Sequence, residues 1–208
     1  MAKRDKLFDK EIEEEKIKKI SETAQFKLVG LVPILFDRFI DMSSDERPPD
    51  QKLYLDNQNQ VGLPSENLWA FLFSEKPGGA VRRFEGRRWA EFLMVGQSHT
   101  SISPEFVPIL RNNKPIIFGK FQEDGVDRKS GMKILRHKAL VKKGGIVIPM
   151  PKIRPCLPTP WEIKFGVTIF ENRLIDMTKI FNWFVRGGIE IGLGTYRPRF
   201  GRFTVEII

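Results

Sequence analysis

Apolar and polar positions alternate most cleanly in "WEIKFGVTIF" (161–170), where Trp161, Ile163, Phe165, Val167 and Ile169 fall on one side. That is the period of a half-buried strand. "RFTVEII" alternates again, so the chain is expected to end in a strand with Phe203, Val205 and Ile207 anchored in the core. "QFKLVGLVPILF" (25–36) is apolar and β-branched enough for a buried strand, although Pro33 cannot donate to a ladder and implies an edge or a strand end. Shorter strands are expected at the start of "KLYLDNQNQ" and at Ile116–Phe121.

Helical spacing appears in three places. After Pro64 a serine cap at Ser65 opens a helix whose Leu68, Trp69, Leu72 and Phe73 make one apolar stripe, stopped by "KPGG". Asp176–Arg186 reads as a second helix, ended by Gly187-Gly188. Residues 1–24 carry charges of both signs around Leu7, Phe8, Ile12, Ile17 and Ile20, a solvated and weakly amphipathic N-terminal helix. "AVRRFEGRRWAEFLM" (80–94) fits either a helix or a strand pair. All four tryptophans, Trp69, Trp89, Trp161 and Trp183, sit in apolar patterns and are expected in the core.

Between these elements lie a polar, proline-broken loop at 37–51 and a strongly basic stretch, "DRKSGMKILRHKALVKK" (127–143), with seven Lys or Arg against one acid. A turn at Ser130-Gly131 makes a protruding basic hairpin of it, within an insertion at about 122–145. The resulting order, strand, helix, strands, strand, helix, strand, predicts an α+β fold of ferredoxin-like or RRM-like type over 25–208, preceded by the charged helix.

Composition narrows the function. The chain has 208 residues, 41% hydrophobic and 29% charged, and no apolar run approaches a membrane span, so a soluble protein without a membrane partner is expected. The N-terminus has no apolar stretch of signal-peptide type and is too acidic for a transit peptide, which makes a cytoplasmic location the default. One cysteine, Cys156, and two histidines, His99 and His137, cannot supply an internal disulfide or a structural zinc site. The formal charge of +9 points to a polyanion, with nucleic acid the first partner to test.

The closing stretch "EIGLGTYRPRFGRFTVEII" (190–208) holds the chemistry suited to such a partner. Gly192, Gly194 and Gly201 allow close backbone approach to phosphates, Arg197, Arg199 and Arg202 supply forked donors, and Tyr196 and Phe200 offer faces for an unpaired base. The competing reading is a tight loop with solvated arginines. No Walker-type phosphate loop occurs, and the glycines lead into a strand and not into the helix of a dinucleotide fingerprint.

"GLPSENLWAFLF" together with "IEIGLGTYRPRFGRFTV" resembles the two marks of the RAMP superfamily, especially the repeated backbone subunits of CRISPR effector complexes. Pro64, Ser65 and Leu68 stand in the turn before the first core helix; Gly192, Gly194, Arg197, Phe200, Gly201 and Arg202 stand in the late glycine-rich loop. "RPCLPTPWEIKFGV" is similar to the proline-containing approach to a long strand in that superfamily. The chain departs from the pattern at Arg199, where a second glycine is common, and after Pro64, where a glycine is missing.

The resemblance implies a modified RRM fold that holds single-stranded RNA, or DNA in a viral or free-standing relative, along its backbone. Copies would stack with each other and with other effector subunits in a filament serving antiviral defence. The binding residues would then be Arg82, Arg83, Arg87 and Arg88 along a groove, Lys133, Arg136, Lys138 and Lys142 in the hairpin, Arg154, and the closing loop with Tyr196. No cofactor is expected for this role. The alternative is an endoribonuclease using Mg2+ at acids such as Asp37 and Asp41, in the crowded 37–50 loop, or using His99 or His137 as acid or base. Solvated acids and surface histidines are the plainer reading of those four residues.

Overall fold

In the computed structural model, residues 20–38, 47–143 and 145–208 are described. Asp41 and most of the expected N-terminal helix lie outside them. In chain order the elements are β1 (Ser21–Gly30), β2 (Ile34–Leu35), a 3-10 turn (Pro49–Lys52), β3 (Gly62–Pro64), α1 (Ser65–Phe73), α2 (Ala80–Phe84), a 3-10 turn (Gly86–Arg88) and α3 (Trp89–His99). Then follow β4 (Thr100–Ser103), β5 (Phe106–Arg111), β6 (Lys114–Pro115), β7 (Lys133–Lys143), β8 (Ile146–Leu157), β9 (Glu162–Phe170), α4 (Met177–Glu190) and β10 (Phe203–Ile207). This is a mixed α+β fold, and every strand pair in it is antiparallel.

The larger sheet runs β10-β1-β9-β5-β3, with β4 also on β9 and β6 on β5. β9 is its spine because its alternation makes it so: Ile163, Phe165, Val167 and Ile169 are buried, and the same parity on β1 buries Phe26 and Leu28. Against this face lie α1 and α4. Phe26 packs on Phe165 and Phe184 at ring separations of 5.8 and 5.4 Å, and Phe71 of α1 stacks on Phe184 at 5.4 Å. Each such ring contributes about 2–3 kcal/mol by leaving water. The opposite face of β1 and β9 carries Gln25, Lys27, Glu162, Lys164 and Thr168, with Lys27 between Glu162 (3.6 Å) and Glu206 (3.9 Å).

Several expectations change. The expected strand at 25–36 starts four residues earlier and breaks before Pro33, beyond which Ile34 and Leu35 join a different, three-stranded sheet, β2-β8-β7. Ser65 does not cap α1; the cap position is Pro64, and the Ser65 amide donates to the Glu105 carbonyl at 2.7 Å. Residues 80–94 are helical. Ile116–Phe121 and 52–56 make only isolated bridges, Gln60 to Ile117 and Leu55 to Val61. Trp161 and Trp183 are buried, while Trp69 and Trp89 are half-buried. On β10 only Phe203 is fully buried; Ile207 is 52% exposed.

The basic hairpin is longer than expected and turns elsewhere. β7 and β8 pair from Lys133 opposite Cys156 to Lys143 opposite Ile146, so the proline-rich "IVIPMPKIRPCL" is its second strand. Ser130-Gly131 instead closes a separate small turn organised by the buried Asp127, whose carboxylate accepts from the amides of Gly119, Lys120, Lys129 and Ser130.

The glycine pair 187–188 does not end α4 but lies inside it. A Cβ at 187 would stand 2.5 Å from the Phe71 ring, and one at 188 would stand 2.4 Å from the Phe203 carbonyl oxygen. These glycines let helix and sheet approach. The helix ends at Gly192, whose amide returns to the Gly187 carbonyl at 2.9 Å with φ at +77°.

Candidate nucleic-acid interface

The loop after α4 is cinched by its own backbone. Leu193 donates to Gly201 (2.9 Å), Gly201 to Pro33 (2.8 Å) and Thr195 to Leu35 (3.0 Å). At Gly201, with φ at +75°, a Cβ would meet the Leu193 carbonyl oxygen at 1.8 Å, so no side chain fits there. The amides of Gly192 and Gly201 are therefore engaged inside the protein, and the expectation that they cradle phosphates is corrected. Their work is to fold residues 195–200 outward.

What the folded loop presents is side chains. Tyr196, itself at φ +58°, is 38% exposed; its ring lies 4.7 Å from His137 of β7 and 6.0 Å from Phe200. Arg197, Arg199 and Arg202 are exposed, and no carboxylate among the described residues pairs with any of them. Arg197 rests one Nη on the Gly192 carbonyl at 3.3 Å. Desolvation lowers its pKa, yet over a third of its surface meets solvent and a guanidinium stays charged at any ordinary pH.

His137 leads to the hairpin base. In β7 and β8, His137 faces Lys152 and Leu135 faces Arg154, so His137, Lys152 and Arg154 share one side of the hairpin. Arg154 forks onto Asp37, with Nε at 2.8 Å and Nη2 at 2.7 Å from Oδ2, and donates from Nη1 to His137 Nε2 at 2.7 Å. An arginine only donates, so the His137 proton sits on Nδ1, which is buried without a partner. Burial first, and then the charge of Arg154, lower the His137 pKa; Asp37 opposes them and Arg199 adds to them. Lys52 lies buried beneath, donating to the Ile153 carbonyl at 2.8 Å, its pKa lowered by desolvation against the pull of Asp37. Nothing in the sequence pattern marked Lys52.

Asp37 is thus the counter-ion of the hairpin base. Among the described residues no three His, Cys, Asp or Glu side chains gather as a metal site would need. His99 is remote from this cluster in role: its Nδ1 lies 3.1 Å from the Val95 carbonyl of its own helix.

The arginines at 82–88 have partners within the helical layer. Arg82 lies over the Trp89 ring at 4.1 Å, Arg83 meets Glu190 at 3.2 Å, and Arg88 meets Glu91 at 2.9 Å while lying over Phe92. Arg87 is exposed. On the hairpin, Lys133, Arg136 and Lys138 are exposed, and the Lys142 side chain lies outside the described residues.

Between α1 and the glycine-rich loop opens a cleft of about 410 Å3, floored by Leu63, Phe71 and Leu193 and flanked by Asn67, Lys76 and Arg197. Asp37 lines it too, which places the cleft next to the hairpin base.

No protein-family model and no curated protein sequence matches the chain. Its fold is similar to that of a chain in a cryo-EM structure of the Type III-B Cmr-beta bound to cognate target RNA, with a TM-score of 0.53 and 11% identity. The likeness takes in 99% of this chain and 65% of that one. No described helix is long and apolar enough to cross a membrane.

Proposed function

We propose that this protein binds single-stranded RNA without sequence preference, as a RAMP-type, CRISPR-associated component of a ribonucleoprotein. The observation that carries the reading is the loop 195–202, whose backbone bonds leave Tyr196, Arg197, Arg199 and Arg202 exposed, the three arginines without a carboxylate partner among the described residues and Tyr196 against His137 of the hairpin base. Three cations without acids and an exposed ring are the parts a flexible polyanion needs, since phosphates take the charge and an unstacked base takes the ring.

The strand order supports the fold side of the proposal. With β4 taken as the second strand, the antiparallel sheet reads fourth, first, third, second, the arrangement of a ferredoxin-like βαββαβ unit. The likeness to a chain from an RNA-bound Cmr assembly agrees with it. The open face of β1 and β9 offers Gln25, Lys27, Glu162, Lys164 and Thr168, and its aromatic ring on these two strands, Phe170, stands at the strand end opposite Ser21, so RNA is held chiefly at the loop and not on an RRM-style stacking platform. Lys133, Arg136 and Lys138 extend the same positive field along the hairpin, and Arg82, Arg83, Arg87 and Arg88 have a smaller share.

Copies of the chain, and other subunits, would follow one another along a long strand. Asp37 has a pairing role, as the counter-ion of Arg154, and not a catalytic one in this reading. The test is fluorescence anisotropy with a labelled oligouridine RNA, the matching DNA and a duplex, each from about 50 to 200 mM salt. Tight, salt-sensitive binding of the single strand with weaker duplex binding is expected. Equal affinity for duplex would overturn the reading. Incubating the same RNA with and without Mg2+ is expected to leave it intact; a cut product under either condition would move the account to the nuclease alternative.

A further inference from the structure

We infer that the cleft between α1 and the glycine-rich loop is a subsite for one unstacked nucleotide of the bound strand, with the base inside and the phosphates at its mouth. The inference rests on the proposed nucleic-acid reading and adds to it a site that charge alone does not require.

The volume, about 410 Å3, falls within the range of about 300–1,000 Å3 typical of small-ligand pockets. Its floor is apolar, because Leu63, Phe71 and Leu193 are core residues whose outer surfaces happen to meet it. Its wall carries Asn67, half-buried and without a hydrogen bond among the described residues, so one amide donor and one amide acceptor face the space together. At the mouth stand the exposed Lys76 and the unpaired Arg197. The one lining acid, Asp37, is held by Arg154.

A flat apolar body, an edge bearing donors and acceptors, and an attached anion are what this lining complements, and a nucleotide has all three. An extended peptide would need free backbone donors along a wall, but the amides of Leu193 and Thr195 are bonded to Gly201 and Leu35. Arg197 therefore serves two surfaces: it closes one end of the cleft and begins the row of cations that runs outward past Tyr196.

Ala70 allows a clean test, since it lines the cleft and is exposed, so a larger side chain fills the space without disturbing the core or any charge. Binding of an oligouridine RNA and of an abasic oligomer of the same length is measured for the parental protein, Ala70→Phe and Asn67→Ala. Ala70→Phe is expected to lose about 10-fold on the normal RNA and nothing on the abasic one, with the salt slope unchanged. Asn67→Ala, which removes only the amide, is expected to lose ~5-fold in the same selective way. Circular dichroism melting confirms that each variant is folded. If the parental protein binds RNA tightly and both variants match it on both oligomers, the subsite is wrong while the function stands; equal losses on the abasic oligomer would also overturn it. If the parental protein binds neither oligomer, the nucleic-acid reading fails, and the subsite with it. Free uridine monophosphate competing at micromolar concentration would overturn the assignment to a strand in favour of a free nucleotide.

Discussion

Two arginine-rich segments look alike in the sequence and differ in the folded protein. Arg82, Arg83 and Arg88 lie against Trp89, Glu190 and the Glu91–Phe92 pair, a helical surface that largely satisfies itself. Arg197, Arg199 and Arg202 stand on a loop with no acid among the described residues to meet them. The difference is one of backbone. In the helical layer Arg88 meets Glu91 and Phe92 of its own turn, Arg82 the Trp89 ring and Arg83 the Glu190 carboxylate of a neighbouring helix, whereas a loop closed by 193–201 and 195–35 bonds turns its cations outward. Charge that is already neutralised adds little to binding a polyanion. Charge held without a partner is what releases counterions when the strand arrives.

The glycines sharpen this contrast most. Gly201→Val would drive a Cβ into the Leu193 carbonyl at a positive φ and is expected to lower stability by about 3 kcal/mol or more, abolishing RNA binding with it. Gly86, between the helical arginines, also has a positive φ, +56°, but open space around it. Gly86→Asn is expected to change stability by less than about 1 kcal/mol and leave binding unchanged. Thermal unfolding of both variants checks the pair, and equal losses would mean that the loop is not specially built.

The ion pairs come next. The Arg154–Asp37 side chains are only 10% and 22% exposed, against 47% and 41% for Arg83–Glu190. Arg154→Met is expected to cost about 2 kcal/mol, because it leaves Asp37 and His137 without their shared donor, and Asp37→Asn in the same chain should recover part of it. Arg83→Met should have a far smaller effect in the same denaturant titration.

The smallest effect is on pH. The folded state holds His137 below its ordinary pKa of 6.5, so the unfolded chain takes the proton first as the pH falls. The contribution of His137 is therefore complete above about pH 6.5 and is lost progressively below it. Replacing it by Gln should flatten that part of the stability profile. A parental curve that is already flat from pH 7 to the folded pKa would remove the buried, neutral histidine from the account.

How much of this was legible depends on distance along the chain. The alternation of β9 and of β1 could be read from neighbours, and so could the glycine-rich loop as a place of unusual backbone. The positions of Gly187 and Gly188 could not, because what makes them glycine is the approach of Phe71 and of Phe203, residues far from them in sequence. The hairpin turn was misplaced for a related reason: Ser130-Gly131 is a real turn, but Asp127 organises it locally, while the long pairing is set by the register of Lys133 on Cys156. The Asp37–Arg154 pair spans 117 positions, and Asp37 looked like one of several loop acids until its partner was in view. Lys52 gave no signal at all, since a lysine in a polar stretch reads as solvated until Ile153 and Arg154 are packed above it.

The central claim is that the loop arginines, and not the helical ones, grip the strand. Oligouridine RNA binding by Arg197→Ala/Arg199→Ala and by Arg83→Ala/Arg88→Ala, measured between about 50 and 200 mM salt, tests it most directly. The account predicts that the loop pair loses more than about 10-fold in affinity and that its log K against log salt slope falls by about 1.4, two single-strand phosphate contacts, while the helical pair stays within about twofold of the parental protein. A loop variant that binds like the parental protein, or a helical variant that loses as much, would contradict it.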